Sequence, residues 1–290
     1  MTALAFKNAK YEATGETKKW LGRTLYRIRA VADIAALGIA AGTLGGWIES
    51  ETCLSVCGNA WVYGNAWVYG NAQVYGNAQV YGNARVCGNA WVYGDARVYG
   101  NAWVCGNARV YGNARVYGNA QVYGNARVCG DAWVYGDARV YGNAWVCGNA
   151  RVCGNAQVYG NAWVCGNARV CGNAQVYGNA QVYGNAQVYG NARVCGNAWV
   201  YGDARVYGNA SKTPIHIIGL RWSITIADQD MQIGCQAHAI DRWWGFDDRL
   251  IQRMDSGALE FWNEHKAALH ALCDATGRPF AKAEAAQVPA

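Results

Sequence analysis

Arginine grips phosphate through a planar fork of donors, and tryptophan and tyrosine offer flat rings for stacking. Between residues 56 and 210 this chain carries ten arginines, eight tryptophans and seventeen tyrosines on a strict six-residue spacing. Arg, Trp or Gln fills one position of each unit, and Tyr, or Cys in nine units, follows two residues later. Rows of such groups could bind anions or other aromatic surfaces. Acid–base and metal chemistry have little to work with there, because no histidine lies between Val56 and Ala210.

All four histidines come after residue 210. Cys235-Gln-Ala-His238 has the spacing of half a zinc site, with Asp241 nearby and His265, His270 and Cys273 further along. Closing that site would require a later helix to fold back, so a buried cysteine and a surface histidine are the plainer reading. A Cys–His nucleophilic pair would have no third group to orient it. No catalytic residue, metal or cofactor is predicted.

The element that positions these groups is the repeat V-[YC]-G-[ND]-A-x, with a valine at every sixth residue from Val56 to Val206, 26 in all. In A-x-V-Y, alternation along a strand puts Ala and Val on one side and x and Tyr or Cys on the other. Ala and Val never vary, as a narrow stacked core demands, whereas x changes freely and must face outward. Gly followed by Asn or Asp supplies a turn after each short strand. Three strands per coil give a triangular solenoid with 18-residue rungs, about 8.6 rungs over the repeat and on the order of 41 Å long at ~4.8 Å per rung.

That geometry sorts the outward residues into three faces. The first carries Trp61, Gln79, Arg97, Arg115, Trp133, Arg151, Arg169, Gln187 and Arg205, and is the most basic. The second carries Gln73, Trp91, Arg109, Arg127, Trp145, Trp163, Gln181 and Trp199, and is the most apolar. The third carries Trp67, Arg85, Trp103, Gln121, Arg139, Gln157, Gln175 and Arg193. Arg97, Arg115, Arg151, Arg169 and Arg205, with Tyr99, Tyr117 and Trp133, form the candidate anion, nucleotide or nucleic-acid site. Arginines one rung apart repel each other, so they need an anion or an aromatic ring between them. Trp91, Trp145, Trp163 and Trp199 form the candidate seam for a partner or for a homodimer or homotrimer.

Twelve cysteines in a chain of 290 residues with no sign of export are expected to be mostly reduced thiols. Cys87 and Cys105, Cys129, Cys147 and Cys165, and Cys153 and Cys171 nevertheless stack on successive rungs, within reach of oxidation.

Composition divides the chain into residues 1–55, 56–210 and 211–290, and the positive charge sits mainly on the middle part, with ten basic and four acidic side chains. A solenoid exposes strand edges at both ends and needs caps. Residues 10–31 read as a β-rich N-terminal cap, and 43–56 as irregular first rungs. Residues 221–236 read as a hairpin turning at Asp228-Gln229-Asp230, with Trp222, Ile224 and Ile226 alternating. Phe246, Leu250 and Met254, with Asp247 at the start, predict one helix; Leu259, Trp262, Leu269 and Leu272 predict a second that begins at Asp255 or Ser256. The fold class is therefore mainly β, a parallel β-solenoid with a β-rich N-terminal cap and an α+β C-terminal cap.

Val56 with Ala60, and Val110 with Ala114, resemble the hexapeptide repeat of left-handed parallel β-helices, and a left hand is what that resemblance implies. The segments "YEATGETKKW", "GRTLYRIRA", "GTLGGWIESE", "HIIGLRWSITI" and "IGCQAHAIDRW" resemble a family of phage and prophage proteins with hexapeptide-repeat middles. The resemblance implies a phage-encoded cytoplasmic protein, with a counter-defence role to suit it, and carries over no functional residues; the Arg, Tyr and Trp ladders predict that it binds a host factor, a nucleic acid or a nucleotide. The alternative is a self-assembling filament or scaffold. Hexapeptide-repeat acyltransferases and γ-class carbonic anhydrases are more distantly similar, but they place histidines on the coils or their loops, and this repeat has neither histidine nor inserted loop. The N-terminal residues lack a signal-peptide apolar run, and Ile34–Ile48, with four glycines, is too short to cross a bilayer. A cytoplasmic protein without membrane contact is expected.

Overall fold

A computed structural model describes residues 5–278, so the outermost parts of the first and last segments, 1–4 and 279–290, lie outside the described residues. The middle of the chain is a parallel β-solenoid whose three sheets contain twelve, nine and nine strands. Between Gln79 and Val188 each rung strand is two residues long, the outward residue and the valine, and pairs in register with the strand 18 residues on: Arg115 with Trp133, Val116 with Val134. Backbone bonds recur from rung to rung, for example Arg115 N–H to Ala132 O at 2.9 Å, Tyr117 to Val134 at 3.0 Å and Asn119 to Gly136 at 2.8 Å. Every face of the prism is thus a fully paired sheet, and the valines and alanines between Ala60 and Ala210 fill the interior with at most 2% exposure.

The corners explain the invariant glycine. Gly118 has φ 72°, and a Cβ placed on it would stand 3.0 Å from both N and O of Gly136 on the next rung. Its role is therefore double, a left-handed backbone and a close approach between layers. The neighbouring asparagines form ladders: Asn89 donates to Asn107, Asn107 to Asn125 and Asn125 to Asn143 through side-chain amides 3.0 Å apart. The four aspartates of the repeat, at 95, 131, 137 and 203, each accept from the asparagine one rung before, Asn77, Asn113, Asn119 and Asn185. A carboxylate can accept but not donate, so each interrupts its ladder beyond that rung.

At the start the register differs from the sequence expectation. Leu54, not Val56, pairs with Val74, and Trp47 pairs with Trp67, so the opening coil holds twenty residues. Leu54 is fully buried and Val56 is 43% exposed. Val56 keeps the six-residue spacing but lies on the wrong side of an irregular strand, and the inward series begins at Val62. Trp61, expected to face outward, is completely buried against Tyr11.

Both ends are closed by complementary chemistry. In this direction of stacking the Ala, Val and Gly carbonyls face the rung before and the N–H groups of the outward, Tyr or Cys, and Asn residues face the rung after, so each end leaves backbone groups for a cap to meet. At the start, β1 (Tyr11–Trp20) and β2 (Arg23–Ala30) form a hairpin that continues the third face's sheet through β3 (Leu44–Ile48). Tyr11 Oη donates to Leu54 O at 2.5 Å, and Lys10 Nζ donates to Ser55 O at 3.0 Å. At the far end, threonine hydroxyls accept: Trp199 N–H bonds Thr213 Oγ1 at 3.3 Å, and Arg205 N–H bonds Thr225 Oγ1 at 3.5 Å.

The C-terminal cap is larger than the predicted hairpin and two helices. The hairpin of Ile224–Ile226 and Asp230–Ile233 forms the middle of a four-stranded antiparallel sheet flanked by Ile215–Ile217 and Gln236–Ala239. Helix α1 (Ile240–Gly245) is additional; six residues are too few to show a helical period. Helix α2 (Asp248–Met254) starts as predicted, with the Asp247 carboxylate accepting from Leu250 N–H. Helix α3 (Ala258–Ala275) begins later than Asp255 or Ser256, because Gly257 turns the chain at φ 79°. The buried Arg278 ties the cap together through Ala227 O and Thr213 O, both at 2.9 Å. No described helix is long and apolar enough to cross a membrane.

Candidate binding faces

The strand pairings place every outward residue on the face assigned from the 18-residue spacing. On the first face Trp133 is held between two arginines, with Cζ of Arg115 at 4.9 Å and of Arg151 at 5.0 Å from its ring. The repulsion between rows is relieved there by an indole. Stacking uses the flat side of a guanidinium and leaves its in-plane N–H donors pointing outward. Arg97, Arg151, Arg169 and Arg205 are exposed and Arg115 is half-buried. Among the described residues, none of the ten rod arginines makes an ion pair; the ion pairs lie in the two flanking segments.

Along the edge of this face Tyr81, Tyr99, Tyr117 and Tyr135 stack in parallel, with centroids 4.6–5.0 Å apart. Tyr123, Tyr141, Tyr159 and Tyr177 do the same beside the third face. Burial, and then the neighbouring tyrosines, push the Tyr81 and Tyr117 hydroxyls above the usual tyrosine range despite nearby arginines. Tyr81 and Tyr117 therefore add no charge to that of the arginines.

The second face brings together Trp91, Trp145, Trp163 and Trp199 as predicted, but in two environments. Arg109 covers Trp91 at 4.9 Å and Arg127 covers Trp145 at 4.6 Å. Trp145 stacks on Trp163 at 5.1 Å, while Trp163 and Trp199 remain 45% and 48% exposed. On the third face a cluster emerges that the spacing alone did not reveal. Arg85 sits 4.6–5.0 Å from the rings of Trp20, Trp67 and Trp103, and Lys18 lies 4.1 Å over Trp47. Trp20 and Lys18 come from the hairpin, so only knowledge of its pairing with β3 could have found this cluster.

Six of the twelve cysteines are paired, Cys87–Cys105, Cys147–Cys165 and Cys153–Cys171, which corrects the expectation of mostly free thiols. The reason is the rung spacing: it holds their Cα atoms 4.6–4.7 Å apart, inside the span of a disulfide. Cys129, one rung before Cys147, is free, and burial followed by its hydrogen bond raises the Tyr111 hydroxyl to about 12.

In the C-terminal cap Cys235 is exposed, Cys273 is fully buried and His238 packs edge-on against Trp243 and Phe246. Among the described residues no three His, Cys, Asp or Glu side chains gather around one point. Burial lowers the His238 and His216 imidazoles below their usual range, Arg242 adding to the effect at His238 and Asp203 opposing it at His216. A cavity of about 40 Å³ between Trp222, Trp243, Met254, Phe261 and Trp262 is far smaller than a small-molecule site.

A family model for the YdcK β-solenoid repeat matches in eleven overlapping copies between residues 72 and 202. No curated protein matches the chain in sequence. Among solved structures, the UDP-N-acetylglucosamine acyltransferase of Francisella novicida is similar at 14% identity, covering 82% of this chain and 95% of that one, with a TM-score of 0.44.

Proposed function

From a β-solenoid repeat protein with YdcK-type repeats, we propose a binding function without catalysis: the first face holds a phosphate-bearing ligand, a nucleic acid or a nucleotide. The observation that carries this reading is the charge left unpaired. Five of the ten rod arginines share that face, and among the described residues no carboxylate pairs with them. Arg97 with Arg115 and Arg151 with Arg169 stand on adjacent rungs, so each pair can take one phosphate between two forks. Trp133 spaces the pairs, and the tyrosine column alongside offers ring edges to a base or sugar. The absence of histidine from residues 56–210 supports binding over the acyl-transfer and carbonic-anhydrase chemistries of hexapeptide-repeat enzymes. The resemblance of the flanking segments to phage and prophage proteins supports a target in a host cell, with interference in host defence as its consequence. The caps that hydrogen-bond to both terminal coils favour a discrete rod over a filament growing end to end.

The test is binding of nucleotides and short single-stranded DNA at two salt concentrations. Affinity should fall as salt rises, with a slope of about −0.7 per phosphate neutralised. Changing Arg97, Arg115, Arg151 and Arg169 together to Ala, two phosphates' worth of contacts, should remove about 1.4 from that slope. Undetectable binding by the unaltered protein, or binding unchanged in the fourfold variant, would overturn the proposal.

A further inference from the structure

We infer that the second face is a docking surface for a second copy of this chain, with the two rods face to face and antiparallel about a two-fold axis between rungs 127 and 145. Trp163 and Trp199, nearly half exposed, call for a cover, and the order of residues along this face indicates which. Reversing the column onto itself sets Arg127 against the partner's Trp145, Arg109 against the partner's Trp163, Trp91 against the partner's Gln181, and Gln73 against the partner's Trp199. Each arginine meets a ring and no two arginines meet. Both copies have the same rung spacing, so rows that match at the axis match along the whole face.

Other arrangements lack this match. A parallel pair would set Arg109 and Arg127 against their own copies. Reversing the first face would oppose Arg97 to Arg169 and Arg115 to Arg151, which keeps that face free. On the third face reversal separates the charges too, but Arg85 is already enclosed by three indoles and Trp67 lies under Trp20. On the second face each stacked arginine has its other side available, while Trp163 and Trp199 are the most exposed tryptophans of the rod.

The area suffices. Eight strands at ~4.8 Å make a face roughly 38 Å long; with a width of about 17 Å, the dimer buries roughly 1,300 Å² in total, within the range of specific interfaces. Being isologous, the contact closes at two copies.

The experiment is analytical ultracentrifugation with small-angle scattering on the full chain, its disulfides intact. The expected species is a dimer with the length of one rod. W163R should weaken the dimer at least tenfold, because it sets like charges opposite each other twice per dimer. R109W added to W163R exchanges the two partners and should restore affinity to within about threefold of the unaltered protein. R127W added to W163R should not, since residue 127 faces residue 145. These positions already alternate between Arg and Trp along the repeat, so folding is preserved, and circular dichroism confirms it. A monomer or trimer at all concentrations, a dimer twice the length of the rod, or equal rescue by R127W and R109W would each overturn the inference. Phosphate-ligand binding is read separately and does not depend on this outcome.

Discussion

Gly118→Ala tests whether layer-to-layer contact at the corners limits this fold, and Gly64→Ala is its control. Both glycines have positive φ, 72° and 55°, so each alanine bears the left-handed penalty of about 1–2 kcal/mol. Loss of unfolded-chain freedom returns about 0.4–1 kcal/mol at each. The surroundings differ. At Gly64 a Cβ would find no atom within 4 Å, whereas at Gly118 it would meet N and O of Gly136 at 3.0 Å. Relief requires the rungs to part, stretching the 2.8 Å bond from Asn119 N–H to Gly136 O. Overpacking of this kind costs about 1–3 kcal/mol. Gly64→Ala should therefore cost about 1 kcal/mol and Gly118→Ala about 2–4 kcal/mol. Urea unfolding followed by circular dichroism, with slopes checked for equality, measures both. Equal costs within about 0.5 kcal/mol would refute the close-approach argument and leave backbone conformation as the sole reason for glycine.

Two further outcomes follow from the same geometry. Each disulfide closes an 18-residue separation, which in the chain-entropy model contributes about 3 kcal/mol; reduction should lower the urea midpoint, and alkylation of all twelve cysteines without reductant would contradict the pairing. His216 and His238 have folded pKa values below the ordinary value of about 6.5. They therefore bind fewer protons folded than unfolded, and their stability contribution is complete above about 6.5 and falls as pH drops through that value towards the folded pKa. Hydrogen-exchange protection across residues 215–239, taken relative to the intrinsic amide rate at each pH, should be lower at pH 5 than at pH 7.5, with little change in the rungs, and equal protection at both pH values would contradict it.

The rod was legible because one unit repeats without insertion: alternation gave the inward side, the 18-residue coil gave the columns, and the pairings reproduce all three. What escaped were the places where the pattern is kept in letters and broken in space. Val56 continues the spacing, yet the twenty-residue opening coil turns it outward and puts Leu54 in its place. The last coil is short in the opposite sense, with Asn209 pairing to Arg193. Neither shift has a local signal, because each arises from docking a cap. The cluster around Arg85 was hidden for the same reason, since it depends on where a hairpin lies. On the candidate faces, membership was readable and environment was not. The five arginines of the first face could be named from spacing, but whether Trp133 lay between Arg115 and Arg151 as a stacked ring depended on rotamers.

The two ends and three sides of the rod answer different questions. At the ends, Lys10 and Tyr11 cover carbonyls while Thr213 and Thr225 cover N–H groups. The C-terminal cap also donates, from Asp228 N–H to Asn209 O at 2.9 Å, so backbone groups of both kinds are met by the chain's own residues at the ends. The proposed association is lateral, and along the regular rungs the backbone is paired in the same way on all three sides. Only the outward residue and the Tyr or Cys beside it distinguish one face from another. On the proposed reading, a face rich in arginine would resist a second copy of itself and attract anions, and one in which arginine and tryptophan fall opposite each other on reversal would attract its own copy. The same three residue types, reordered along eight or nine rungs, can thus direct one side of a rigid prism to a ligand and another to a twin.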